Sequence, residues 1–157
     1  MDAGTLPPEL AGNRADIEMG WAIKAYDHAE TYFNILRSVD PSLLKLTRID
    51  DELYEAFRRQ FPDLKIDVLV EDEIKTEEQK AKWRNFCNEF KEKVEEFNFG
   101  TLIRLDANLD YSEKNTILVP RAEFLAIEIA RNREGVNSSI RVNFGKTKQN
   151  GSEDKNS

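Results

Sequence analysis

The sequence has few of the residues that build covalent or metal-bound structure. Its 157 residues include one cysteine and one histidine. A single thiol, Cys87, cannot form an internal disulfide, so the chain lacks the usual mark of a small secreted domain. One histidine and one cysteine also cannot supply the usual ligand sets for zinc. We therefore expect neither a disulfide framework nor a metal site.

Glycine is scarce too, and its spacing excludes the common nucleotide-binding loops. The seven glycines stand at positions 4, 12, 20, 100, 135, 145 and 151. No two are close enough to form G-x-G-x-x-G or a P-loop. We expect no cofactor.

Positive charge is in deficit, and long apolar runs are missing. Lysine and arginine total 23 against 30 acidic residues, which gives a net charge of -7. Proteins that bind duplex nucleic acid normally carry the opposite balance. No stretch approaches the roughly 20 apolar residues of a membrane span, and the first 15 residues do not resemble a signal peptide. We expect a cytoplasmic protein that binds neither nucleic acid nor membrane.

The length suits one domain with two tails. Residues 1–15 contain glycine and proline and predict a flexible arm. Residues 145–157 contain no apolar side chain and predict a disordered tail. Residues 16–144 carry the apolar patterns. We expect a mainly α monomer, a single-domain helical bundle with a small β-hairpin or short strands packed alongside.

Apolar residues that recur at steps of three and four predict five helices. They run from Asp16 to Val39, from Asp40 through Leu46, from Ile49 to Phe61, from Thr76 to Phe97 and from Pro120 to Gly135. Gly100 and Gly135 are the expected left-handed stops of the last two. The final helix is apolar on most sides, which places it in the middle of the fold.

Short extended runs lie between and after these helices. The runs 101–106 and 116–119 are β-branched or apolar, and turn residues separate them, so they are predicted to pair as a hairpin. Residues 64–68 alternate and predict either a short strand or an irregular extended segment. Residues 139–144 are a candidate for a last strand.

Two isolated side chains are candidates for nucleophilic or acid-base chemistry. His28 lies on the apolar stripe of the first helix, and we favour a hydrogen-bonded core histidine over a catalyst. Cys87 lies beside Phe86, and we favour a small buried residue. The two would have to meet to form a Cys-His pair.

Glu128 is the most unusual carboxylate, because it stands between two isoleucines in the most apolar helix. A charge in that position must find a partner or shift its pKa. We favour a salt bridge to Arg104, Arg121 or Arg131. The alternative is a general acid or base.

Two charged segments are candidates for binding a partner. An acidic segment leads into the long polar-faced helix. A basic segment belongs to the last helix. Either segment is also compatible with a solvated helix end. An acidic patch steers basic partners, and arginines dock acidic ligands. The predicted partner-binding residues are Glu71, Asp72, Glu73, Arg121, Arg131, Asn132 and Arg133.

Several sequence blocks between about residues 16 and 137 form a set. They are DIEMGWA at 16–22 with HAE at 28–30, SVDP at 38–41, LKLT at 44–47 with DD at 50–51, IDVL at 66–69, KWR at 82–84, FNFGTLIRLD at 97–106 and FLAIEIARNREG at 124–135. Together they resemble a small eukaryotic family, the polysaccharide biosynthesis domain-containing protein 1 group. The most specific block is 126–135.

The resemblance implies a mainly helical, single-domain cytosolic protein. Similar members are thought to be dedicated folding helpers for newly made translation elongation factor 1-alpha, which implies a non-enzymatic chaperone with that partner and no catalytic residues. The family name refers to a domain shared remotely with plant enzymes that methylate xylan. A methyl-donor-dependent transferase is therefore one alternative, although the chain lacks a glycine-rich methyl-donor turn. A generic interaction scaffold is another.

Overall fold

The computed structural model describes residues 8–145 of the chain, and it describes side chains from residue 18 onward. The helices are α1 (Pro8–Ser38), α2 (Asp50–Gln60), α3 (Glu71–Ile74), α4 (Glu77–Glu89), α5 (Arg121–Arg133) and α6 (Ser138–Phe144), and the strands are β1 (Gly100–Arg104) and β2 (Thr116–Pro120). Short 3-10 turns lie at Pro41–Leu43 and Glu113–Asn115. The prediction of a mainly α domain with a small hairpin is confirmed. No helix in this part of the chain is long and apolar enough to cross a membrane.

The first helix begins at Pro8, eight residues earlier than predicted. Proline is tolerated in a first helical turn, where its missing N–H has no partner to lose. A single glycine inside a helix costs only about 1 kcal/mol. The predicted arm over residues 1–15 is therefore wrong for residues 8–15, which are helical. Residues 1–7 of that arm, and residues 146–157 of the predicted tail, lie outside the described residues.

The fourth helix ends at Glu89 rather than at Phe97, and the prediction was wrong about its length. Turns follow it: the amides of Lys93 and Val94 both donate to the carbonyl of Phe90, at 3.0 and 2.9 Å. These turns preserve spacings of three and four residues, which is why the apolar pattern continues past the helix. Gly100 consequently starts β1 and is not a helix stop.

The predicted hairpin is confirmed. Strands β1 and β2 pair antiparallel, with Thr101 opposite Val119 and Ile103 opposite Ile117. Residues 64–68 form no strand, and a single bridge joins Val68 to Asp106. The irregular extended alternative is thus the correct one.

The predicted last strand over 139–144 is helix α6 instead. Its apolar residues alternate, but Ile140 and Phe144 are also four apart and share one helical face. Ile140 is fully buried and Phe144 is half-buried, whereas Val142 is 63% exposed. Burial therefore follows the helical period rather than the strand period.

Helix α5 occupies the centre of the fold, as its composition predicted. Every residue from Ala122 to Asn132 is buried, and α5 packs against α2, α4 and both strands. Gly135 follows it with a φ of 81°, in the left-handed region expected of a helix stop. This position forces the polar residues of α5 into the interior.

Candidate functional site

A buried ion cluster forms around Glu128 on α5. Neither this side chain nor that of Arg104 or Arg131 has any exposed surface. Nη1 of Arg131 donates to Oε2 of Glu128 at 2.8 Å, and Nη2 of Arg104 lies 3.5 Å from Oε1. Burial alone would raise the pKa of Glu128, but the two guanidinium groups hold it below its usual value. The predicted salt bridge is confirmed, with Arg131 and Arg104 as the partners.

Neutral polar groups complete the cluster. The hydroxyl of Tyr32, on α1, donates to Oε1 of Glu128 at 2.9 Å. Nδ2 of Asn137 donates to the same oxygen at 2.9 Å and to Oδ1 of Asn132 at 2.7 Å. Nδ2 of Asn132 donates in turn to the Tyr32 hydroxyl at 3.2 Å. Both carboxylate oxygens are thus held by internal donors, an arrangement that suits a structural group better than a general base.

The arginines of the cluster also hold irregular backbone. Nε of Arg131 donates to the carbonyl of Ile66 at 2.7 Å, and its Nη2 donates to that of Leu105 at 3.0 Å. Nη1 of Arg104 donates to the carbonyl of Ala107 at 2.6 Å. The Leu105 carbonyl also accepts from the amide of Leu69 at 2.9 Å. Bonds from buried guanidinium groups supply donors to carbonyls of irregular backbone, which burial would otherwise penalise. The cluster thereby holds the segment around Ile66 and the segment from Leu105 to Ala107 against its buried arginines.

His28 is half-buried on α1. Its ring packs edge-on against Phe124, with centroids 5.2 Å apart, and parallel to Tyr32 at 6.4 Å. Burial, with a contribution from Arg121, lowers the pKa of His28, so the ring is neutral at pH 7. Its Nδ1 has no hydrogen-bond partner among the described residues. The predicted hydrogen-bonded core histidine is thus half-buried at the edge of the aromatic packing, and no hydrogen bond is found at its Nδ1.

A small cavity lies beside His28. Its volume is about 50 Å³, and its lining includes Arg121 and Thr101. Such a volume suits a few water molecules rather than an organic substrate. The arrangement does not resemble an enclosed catalytic cleft.

A larger groove of about 540 Å³ runs between α4 and β2. Two buried ionisable side chains, Cys87 and Glu123, line it. Burial raises the pKa of Glu123 to about 8, and burial together with Glu123 raises the pKa of Cys87 to about 12. The thiol is therefore protonated and unreactive at neutral pH, which agrees with the buried role predicted for Cys87.

The predicted partner-binding residues occupy different environments. Arg131 and Asn132 are 0% and 2% exposed, so a partner cannot reach them and the predicted contact does not fit these two. Arg121 is half-buried, and its Nε has no partner among the described residues. Arg133 pairs with Asp51 of α2 at 2.5 Å.

The acidic candidates Glu71, Asp72 and Glu73 form the first turn of α3. Glu71 is half-buried and pairs with Lys75, and the other two are exposed. No hydrogen bond or ion pair within residues 18–145 joins this turn to the arginines of α5. A role in partner binding stays a prediction for Arg121, Arg133 and the acidic turn.

Tyr32, Glu123 and Asn137 are among the polar residues of the interior that the sequence did not identify. Tyr32 stands within an apolar stripe, where an aromatic ring is unremarkable. Glu123 stands between the apolar residues Ala122 and Phe124. A carboxylate between apolar neighbours is the same pattern that identified Glu128. Asn137 follows the helix, and nothing in the local sequence marks it as buried. Among the residues that the structure describes, no three His, Cys, Asp or Glu lie together as a metal ion requires.

Comparison with known proteins places these features in a family. The family model described as PBDC1 protein matches residues 17–142. The chain belongs to the PBDC1 family. It is 54% identical over 138 residues to Protein PBDC1 of Mus musculus, covering 88% of this chain and 70% of the mouse protein. The human PBDC1 protein is also 54% identical over 138 residues, and the match covers 88% of this chain and 59% of that protein.

The PBDC1 match extends to fungi and to a solved structure. The chain is 45% identical over 140 residues to the Protein PBDC1 homolog of Saccharomyces cerevisiae, covering 87% of this chain and 96% of the yeast protein. A solution NMR structure of the Saccharomyces cerevisiae protein yst0336 is similar, with a TM-score of 0.76 and 44% identity. The similarity covers 88% of this chain and 97% of the yeast chain. The resemblance seen in the sequence blocks is confirmed.

Proposed function

We propose that this chain is a non-enzymatic cytoplasmic chaperone that binds newly synthesised translation elongation factor 1-alpha and assists its folding. The proposal starts from membership of the PBDC1 family and from the folding role that the sequence resemblance implies. It assigns the chain a protein partner rather than a small-molecule substrate.

The observation that carries the proposal is where the charged groups lie. The unusual ionisable groups of the central helix are turned inward, and Glu128 is held by Arg104 and Arg131 at its two oxygens. Over the whole chain, 30 acidic residues against 23 lysines and arginines give a net charge of -7. Proteins of the elongation factor 1-alpha family are basic. An acidic binding protein therefore has a charge complementary to theirs, which favours fast and selective association.

The test is recovery of the newly made factor from translating cells. A tagged chain is purified after a short pulse of labelled amino acid, and again after a chase. We expect labelled elongation factor 1-alpha to be enriched in the pulse sample and to decline in the chase, because a chaperone releases folded product. Absence of the factor above background in both samples would refute the proposal.

Two further measurements separate the proposal from its alternatives. Titration calorimetry with S-adenosylmethionine tests the methyl-donor-dependent transferase; micromolar binding would favour that enzyme, and injections without heat would exclude it. Refolding of the purified factor tests the generic scaffold. A chaperone raises the refolded yield, whereas a scaffold leaves the yield unchanged.

A further inference from the structure

A groove on the outer face of α1 combines aromatic walls with acidic side chains. Its volume is about 430 Å³, and it lies between α1 and the loop that follows β1. Its aromatic residues are Tyr26, Phe33 and Tyr111, and its acidic residues are Asp27, Glu30 and Asp110. We call it the α1 groove.

The aromatic side of the α1 groove is open to a ligand. Tyr26 is 67% exposed, although it is a large and mostly apolar side chain. Phe33 and Tyr111 meet edge to face with ring centroids 6.1 Å apart. Behind them the guanidinium of Arg104 lies 5.7 Å from the Tyr111 ring, and its charge is compensated by the buried Glu128. The same guanidinium lies 6.0 Å from the Phe33 ring, and both Phe33 and Tyr111 are half-buried. The exposed Tyr26 ring is therefore the one that offers a face to a cation from the solvent.

The three carboxylates of the groove have no cationic partner among the described residues. Asp27, Glu30 and Asp110 are exposed, and no hydrogen bond or ion pair to their carboxylates occurs within the described residues. The one basic residue that lines the groove, Arg37, is already engaged, because its Nε donates to the carbonyl of Phe144 at 2.7 Å and its Nη1 to Oδ1 of Asn34 at 3.0 Å. Unpaired carboxylates beside the exposed Tyr26 ring form a complementary surface for a basic side chain.

We propose that the α1 groove binds a lysine or arginine side chain from an extended segment of a client polypeptide. This inference rests on the proposed function, whose client is basic. Cation–π contact with the Tyr26 ring and ion pairing with the carboxylates act on the same basic side chain. The groove between α4 and β2 is less suitable, because Lys75, Lys80 and Arg84 line it.

The test compares two triple variants that remove equal charge. The groove variant carries Asp27→Asn, Glu30→Gln and Asp110→Asn. The control variant carries Glu55→Gln, Glu92→Gln and Glu95→Gln, at exposed acidic residues that lie outside the α1 groove and are not among the predicted partner-binding residues. Circular dichroism first establishes that both variants fold. Binding is then measured to an array of overlapping peptides that covers elongation factor 1-alpha.

We expect the wild-type chain and the control variant to bind peptides that contain lysine or arginine, and the groove variant to bind them roughly tenfold more weakly. Equal weakening by both triple variants would show a general charge effect and overturn the assignment to this groove. Full binding by the groove variant would also overturn it.

The aromatic contribution is tested separately with Tyr26→Ala, and Tyr26→Phe is the matched control. Tyr26 is exposed, so the fold should survive either change. We expect Tyr26→Ala to weaken peptide binding about threefold or more even at high salt, and Tyr26→Phe to retain it, because a phenylalanine ring keeps the cation–π contact. Equal binding by the wild-type chain, Tyr26→Ala and Tyr26→Phe would show that the Tyr26 ring does not contribute to binding.

The pulse-labelling experiment distinguishes a failure of the groove from a failure of the proposed function. If the wild-type chain recovers the factor and the groove variant recovers it equally, the groove assignment is wrong and the chaperone function stands. If the wild-type chain binds basic peptides through the groove but recovers no factor from cells, the groove stands and the client is a different basic polypeptide.

Discussion

The hydroxyl of Tyr32 on α1 donates a hydrogen bond to the Glu128 carboxylate on α5 over 2.9 Å, although 96 residues separate the two in the chain. Both side chains are buried. The bond links the first helix to the central one through a charged group that two arginines neutralise. Removing any member of this cluster therefore leaves another member unsatisfied, which makes the cluster a direct test of the fold.

The substitution Glu128→Gln should destabilise the protein strongly. It keeps the shape of the side chain but leaves Arg104 and Arg131 without their buried counter-charge. Breaking a buried pair by removing one partner costs about 3–5 kcal/mol. Urea denaturation measures the loss, and Glu77→Gln, on a side chain that is 90% exposed, is the control and should leave the midpoint unchanged. A loss under about 1 kcal/mol for Glu128→Gln would contradict the structural role assigned to the cluster.

The substitution Tyr32→Phe should cost about 1–3 kcal/mol of unfolding free energy. It removes the donor to Glu128 and the acceptor of the Asn132 amide, so one buried N–H loses its partner. Tyr26→Phe is the matched control, because it deletes the same hydroxyl from an exposed position on the same helix. Equal unfolding midpoints for the two variants would show that the Tyr32 bonds contribute nothing to stability.

Stability should fall as the pH rises toward 8 because of Glu123. Burial raises its pKa from 4.5 to about 8, so the folded state retains a proton that the unfolded state has lost. The proton retained by Glu123 contributes in full to the free energy of unfolding below about pH 4.5. This contribution is lost as the pH rises through 8. In Glu123→Gln this dependence is absent, so the stability of the variant relative to wild type should rise by about 1 kcal/mol or more between pH 5 and pH 9. Urea denaturation at both pH values checks the sign, and parallel pH profiles for the two proteins would contradict it.

Two glycine substitutions should have opposite effects. Gly135 has a φ of 81°, with nothing within 4 Å of an added Cβ, so Gly135→Ala should cost about 1 kcal/mol through backbone strain alone. Gly20 lies inside α1, and an added Cβ there also meets nothing within 4 Å. Gly20→Ala should therefore stabilise the protein by up to about 1 kcal/mol. Thermal unfolding compares the two, and a destabilised Gly20→Ala variant would contradict the prediction for α1.

Patterns among neighbouring residues predicted the elements that such patterns determine, namely the longer helices and the hairpin. Apolar spacing located four of the longer helices, and β-branched runs on either side of turn residues located the hairpin. The same signals failed where two periods overlap: Ile140 and Phe144 fit a strand and a helix equally, and turns after Phe90 continue a helical spacing without a helix. In both places the contacts of the packed chain select one conformation, and sequence spacing does not record those contacts.

The candidate site was predictable only in part, for a related reason. An isolated carboxylate in an apolar helix must find a partner or shift its pKa, so Glu128 and the arginine partners proposed for it could be identified in advance. Arg131 was predicted both to pair with Glu128 and, with Asn132, to bind a partner, and only the pairing fits side chains that are buried. Burial of polar side chains depends on whether distant donors and acceptors converge, and Asn137 and Tyr32 come from other parts of the chain.

The sequence by itself determined the class of molecule: an acidic, mainly helical domain whose most apolar helix had to lie at its centre. It did so because helix period, turn chemistry and net charge are properties of neighbouring residues. Only the tertiary structure decided which charges are internal and which face solvent. The same kind of carboxylate is neutralised at Glu128, protonated at Glu123 and left unpaired at Glu30, because each lies among different residues brought together by folding.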